Sequence, residues 1–164
     1  MGIKRVDFGQ DVEVAKGGKV KALASSPSKG WLAEVLDVKY TTSKSSDNVG
    51  IEVTYKVTDE DAVDIEDNSF TGKKQWDTIW FGGKSLKMTK IKLDGLGVDV
   101  ENLIIEDESD VQDLAEQLRD EARGLEVSLV TEAIEDNYGG GTYDDGTQKY
   151  KSNVKFVNSV SWGL

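Results

Sequence analysis

Residues 71–81, TGKKQWDTIWF, bring two lysines and two tryptophans into one short stretch of a chain whose formal net charge is -11. Indole rings offer flat faces on which bases stack, and ammonium groups neutralise phosphate, so this combination suits a groove for single-stranded nucleic acid. Alternation along an extended strand puts Lys74, Trp76, Thr78 and Trp80 on one side and Gln75, Asp77, Ile79 and Phe81 on the other. If Ile79 and Phe81 fill the core, both indoles face outward beside a lysine. If the tryptophan side is the core, the same residues are ordinary packing. This strand alone does not choose between the two.

Other residues of matching chemistry are spread along the chain. Lys39, Lys56 and Lys73 lie on or beside candidate strands, Lys44 lies in a polar loop, and Lys149, Lys151 and Lys155 recur along the last strand. Tyr138 and Tyr143 flank Gly139, Gly140 and Gly141 in another loop, where a flexible backbone would carry two rings. The bland alternative is a glycine hairpin turn and lysines that merely solubilise a strand.

Catalytic chemistry has little to work with. Cysteine and histidine are absent, which removes thiol nucleophiles, thiolate or imidazole zinc sites and Ser-His-Asp relays. A carboxylate-held metal is the remaining route, but no spacing singles out a pair of acids. DEDAVDIED at 59–67 lacks the glycine and closing glutamate of a calcium loop and reads as a solvated loop. GGKS at 82–85 follows a strand and opens a helix, yet it lacks the earlier glycine of a phosphate-binding loop and reads as a turn plus helix cap. The expectation is a protein that is not an enzyme, with no metal and no cofactor.

The elements that must present these residues follow from periodicity. WLAEVLDVKYTT at 31–42 alternates with Leu32, Leu36, Val38 and Tyr40 on one side and Trp31, Asp37 and Lys39 on the other. VGIEVTYKV at 49–57 sends Val49, Ile51, Val53, Tyr55 and Val57 inward and Glu52, Thr54 and Lys56 outward. KKQWDTIWF is the third strand. SLKMTKIKLDG predicts a short helix capped by Ser85 and ending near Gly95. A second helix is predicted from a capping box of Ser109 and Gln112, with Val111, Leu114, Ala115, Leu118 and Ala122 on its apolar face and Gly124 at its end. LEVSLVTEA and QKYKSNVKFV are the last two strands, the latter with Tyr150, Val154 and Phe156 on the side opposite its lysines.

Length and composition, 164 residues with 37% hydrophobic and 31% charged, describe one soluble domain. The order predicts a mainly β fold with helices: a five-stranded OB-type Greek-key barrel over 29–164, with a helical insertion between strands 3 and 4 and an N-terminal arm or hairpin over 1–28. A generic α+β sheet shares this order. Acidity is concentrated in 45–68 and 101–136, leaving the remainder mildly basic. The N-terminus has no apolar secretion segment and no run is long enough to span a membrane, so a cytoplasmic location without membrane association is expected.

The chain resembles a family of phage-encoded early proteins, long grouped as a domain of unknown function and regarded as OB-fold single-stranded-DNA-binding proteins. The likeness runs from about Ser28 to Phe156 through PSKGWLAEVLDVKY, VGIEVTYKVTDE, GKKQWDTIWFGGKSLKMTKIKLDGLGVD and GLEVSLVTEAIEDNYGGGTYDDGTQKYKSNVKFV, in order and spacing rather than in one motif. The resemblance implies a protein that coats single-stranded DNA during phage replication or recombination, in the host cytoplasm, with Lys73, Lys74, Trp76 and Trp80 on the binding sheet. Many single-strand binders recruit partners through an acidic tail. This chain ends NSVSWGL, so recruitment of replication or recombination proteins is expected of the acidic helix face at 107–121 instead. The rival expectation is an acidic protein-interaction or DNA-mimic module, which needs clustered carboxylates and buried aromatics.

Overall fold

A computed structural model of the chain describes residues 21–82, 86–137, 141–143 and 146–160. The elements are β1 (Trp31–Thr42), β2 (Val49–Val57), β3 (Lys74–Trp80), α1 (Leu86–Gly95), a 3-10 turn (Val100–Asn102), α2 (Glu108–Ala122), β4 (Glu126–Glu135) and β5 (Tyr150–Ser159). Every strand pairing is antiparallel, in one open sheet of order β3-β2-β1-β4-β5. The fold is thus mainly β, with both helices between the third and fourth strands as expected. The edges are β3 and β5. No helix among the described residues is long and apolar enough to cross a membrane.

The inner face of the sheet makes the core, with Val35, Val38, Ile51, Val53, Tyr55, Ile79, Val127, Leu129 and Val157 almost wholly removed from water. On β2 the alternation holds throughout. On β1 it reverses, because the pairing with β2 shifts between Val35 and Asp37 and leaves Leu36 as an extra residue. Trp31, Ala33 and Val35 therefore face inward while Leu32 is 40% exposed, the opposite of the expected side, and Val38 and Tyr40 return to the expected one. A second shift, at Lys155 on β5, turns Val154 and Val157 inward and leaves Phe156 42% exposed. Both corrections have one cause: a bulge adds a residue and inverts every side chain beyond it.

α2 lays Val111, Leu114, Ala115, Leu118 and Ala122 onto the core, all buried. Its cap is Asp107, not Ser109. The Asp107 carboxylate accepts the amides of Ser109 and Asp110, and the Asp110 carboxylate closes the box on the Asp107 amide. An aspartate serves where Ser was expected because its short acceptor reaches the same orphan amides. The turn after α2 uses Gly124 with φ 86.

α1 packs differently, across the gap between the two edge strands, against β3 and β5. Gly95 makes this approach possible, since a Cβ there would collide with the Val157 carbonyl. The expected Ser85 cap lies outside the described residues.

The acidic stretch 59–67 is not simply solvated. Ala62 joins Leu23, Trp31, Val57 and Phe70 in a second buried cluster. Asp64, 3% exposed, accepts the amides of Glu66 at 2.8 Å and Asn68 at 3.0 Å, so the carboxylate organises the turn from within. Residues 21–28 run beside β4, where Ser26 exchanges bonds with Thr131 and Leu23 is fully buried. The arm predicted over 1–28 otherwise falls on residues outside those described.

Candidate nucleic-acid interface

The pairing of β2 with β3 fixes the outer face. Opposite residues share a side, so Lys56 stands across from Lys74, Thr54 from Trp76, Glu52 from Thr78 and Gly50 from Trp80. Ile79 is 1% exposed and Phe81 packs on the core, which selects the register with both indoles outward. Trp76 is 54% exposed. Trp80 is half-buried and lies against β2 over Gly50, where an added Cβ would come within 2.8 Å of its ring.

Charge on this face is mixed. Lys39 is the next residue in the Thr78–Glu52 row, and its ammonium is 3.3 Å from Glu52. Asp37 and Glu34 follow in the two neighbouring rows. Lys56 and Lys74, by contrast, are exposed, adjacent, and form no ion pair among the described residues. Like charges directly opposite each other cost stability in an antiparallel pair. An approaching anion relieves that repulsion.

Between β3, α1 and β5 lies a cleft of about 450 Å³, lined by Trp76, Thr78, Ile79 and Trp80 from β3, Met88 and Thr89 from α1, and Asn153, Val154 and Lys155 from β5. Side chains span the gap between the edges. Gln75 Nε2 donates to the carbonyls of Trp76 at 3.1 Å and Ser152 at 3.3 Å, which links β3 to β5 at one end. At the other, the Thr89 hydroxyl donates to the Trp80 carbonyl.

Lys92 and Asp77 form the floor. The Lys92 ammonium donates to Asp77 Oδ1 at 3.0 Å and stands 2.8 Å from Oδ2, which it faces as a charge without making a second hydrogen bond. Both side chains are nearly sequestered, 11% and 12% exposed. Burial raises the Asp77 carboxyl above its ordinary range, and the Lys92 charge and hydrogen bond, with the Thr78 amide, pull it partly back. Next to it the Tyr55 hydroxyl is fully buried with no hydrogen-bond partner among the described residues. Its ionisation is pushed well above the usual phenol range, first by burial and then by the Asp77 charge.

The remaining expected residues are scattered around this centre. Lys73 is exposed at the start of β3, its ammonium 5.9 Å from the Phe70 ring. Lys44 is exposed in the β1–β2 loop, beside the Trp80 end of the face. Lys155 is exposed at the cleft and 3.7 Å from Glu132, while Lys151 is exposed farther along β5. Tyr143 is half-buried, with the ammonium groups of Lys21 and Lys149 4.3 Å and 5.6 Å from its ring centre, so both the ring and Lys149 are already engaged. Tyr138 lies outside the described residues. The structure thus gathers Lys56, Lys74, Trp76, Trp80 and Lys155 around one edge and leaves the others peripheral.

Sequence reasoning missed the Asp77–Lys92 pair, Gly50 under Trp80, and Asn153. The first had a signal. Alternation placed Asp77 inward with Ile79, and a carboxylate facing a core requires a cation. No group of acids among the described residues is arranged to hold a metal ion. No family model matches the chain and no curated protein is significantly similar to it, so function has to be read from this face and this cleft.

Proposed function

We propose that the protein binds single-stranded DNA, without strong sequence preference, along the outer face and free edge of β3. The observation that carries this reading is Trp76, more than half exposed beside Lys56 and Lys74, which form no ion pair among the described residues. A large apolar ring held in water on a rigid strand is poor packing and a good stacking platform, where each base contributes on the order of 1–3 kcal/mol. The adjacent ammonium groups would take the phosphates.

The sheet is read here as an OB-type Greek key whose edges, β3 and β5, are bridged by α1 and by Gln75. In that architecture oligonucleotides cross strands 2 and 3 between the first and fourth connecting loops. The β1–β2 loop lies at the Trp80 end of the face, and the Gln75–Ser152 bond brings the root of the β4–β5 loop to the Lys74 end. Both flanks therefore lie where this reading needs them. The acids of α2, including Asp113, Glu116 and Asp120, are exposed. They would keep duplex phosphate at a distance or receive a replication or recombination protein. A DNA-mimic role needs buried aromatics, which the exposure of Trp76 disfavours. A phage protein that coats strands exposed in replication or recombination fits this chemistry.

Titration of the full chain with oligo-dT, followed by tryptophan emission, is expected to show quenching. Affinity should weaken with salt at a slope of about 0.7 per phosphate contacted. Absence of quenching and of a mobility shift at low salt overturns the proposal.

A further inference from the structure

Trp76 and Trp80 are four positions apart on β3, so strand rise alone puts them about 13 Å apart. One base cannot lie between them. The two rings line the same cleft but differ in setting: Trp76 is more than half exposed at one end of it, whereas Trp80 is half-buried against Gly50 farther along its wall. A strand lying along β3 from Trp76 therefore runs from the exposed rim of the cleft toward its more enclosed Trp80 end.

From these features we infer that the cleft between β3, α1 and β5 takes one unstacked base of the bound strand. The inference rests on the single-strand reading above and specifies what that site holds. The volume, about 450 Å³, is in the range of small-ligand pockets. The lining suits a flat ring with a polar rim: Ile79, Met88 and Val154 supply apolar surface, while Thr78 and Asn153 offer hydrogen-bonding groups from opposite walls. The floor does not repel a phosphate, because Lys92 balances Asp77. Lys155 waits at the rim in a solvent-exposed pair with Glu132 at 3.7 Å, a contact weak enough to be exchanged for a phosphate at little cost.

Insertion has a consequence that outward stacking lacks. A base paired in a duplex must first be unpaired and unstacked to enter, so the cleft discriminates against duplex by its depth.

The test is photo-crosslinking of the full chain to a single strand carrying 5-iodouracil, with the adducts mapped by peptide. Adducts at Trp80 or Met88 are expected in addition to Trp76. Adducts at Trp76 with none at Trp80 or Met88 overturn the inference and leave single-strand binding intact; failure of any strand to bind removes both. Met88→Trp, which fills the cleft, should weaken binding about tenfold or more. Asn153→Leu, on a half-buried strand position, gives the same reading if the tryptophan variant does not fold. Unchanged affinity in a folded variant of either kind overturns the inference.

Discussion

α1 and α2 lie between the same two strands in the chain and meet the same core, yet they are built in opposite ways. α2 is a scaffold helix: an aspartate cap, a continuous apolar stripe and an acidic outer face. α1 buries Thr89 and Lys92 along with Leu93, and two of its polar side chains reach β3. Where α2 covers the middle of the sheet, apolar contact is enough. Where α1 crosses between two strand edges, it faces polar groups that no neighbouring strand satisfies: its Thr89 hydroxyl donates to the Trp80 carbonyl and its Lys92 ammonium to the Asp77 carboxylate. The cleft is what remains where that cover is incomplete.

The contrast can be tested by substitution, and the largest effect is expected at the buried pair. Lys92→Met alone leaves the Asp77 carboxylate enclosed without its cation and should cost about 3–5 kcal/mol in urea unfolding. The double variant Asp77→Leu/Lys92→Met should recover most or all of that, because two apolar side chains avoid the desolvation of two charges. A double variant as unstable as the single one would mean that the pair is not isolated from water. The same pair gives a pH signature. With its folded pKa raised, Asp77 holds a proton in the native state over an interval where the unfolded chain has released it. Its contribution to stability therefore falls as pH rises through that interval, and the double variant should flatten the slope.

Leu114→Ala on α2 should cost about 2–5 kcal/mol through the cavity it leaves. Its affinity for oligo-dT, measured on the folded fraction, should match that of the unsubstituted chain. Trp76→Ala should do the reverse, losing about 1–3 kcal/mol of binding with no loss of unfolding free energy. Tyr55→Phe removes a buried hydroxyl that has no partner among the described residues and should raise stability by about 1 kcal/mol, read as a higher urea midpoint.

How much of this could be read from residues alone depended on whether a period ran unbroken. β2 alternates without interruption, and α2 keeps its spacing over its full length, so both were legible down to the buried side chains. β1 and β5 each contain one extra residue, and beyond it the alternation of two inverts, which is why Leu32 and Phe156 face water where unbroken alternation predicts the core. Glu34, which falls between Leu32 and Leu36 on the side that alternation assigns to the core, is the visible warning. The outward setting of Trp76 follows from the burial of Ile79 in the core, which the local pattern of β3 does not encode. The cleft was invisible, since it depends on α1 meeting β3 and β5 from far along the chain, and no local pattern encodes that meeting. Tyr143 shows a further limit: a ring in a glycine-rich loop looked free, but Lys21 and Lys149 stand beside it.

The smallest expected effect bears most directly on what β3 is for. Lys56 and Lys74 face each other across the outer surface and form no ion pair among the described residues, an arrangement selection for stability alone would not favour. Lys74→Glu would convert the like pair into an opposite one and should stabilise the fold by about 0.2–1 kcal/mol. The same change should weaken binding of oligo-dT and reduce its salt dependence by about one phosphate contact. Opposite signs in the two measurements would mean that the repulsion is kept for an anionic ligand. A variant that gains stability and binds the strand unchanged would detach these lysines from the interface and leave the indoles to act without them.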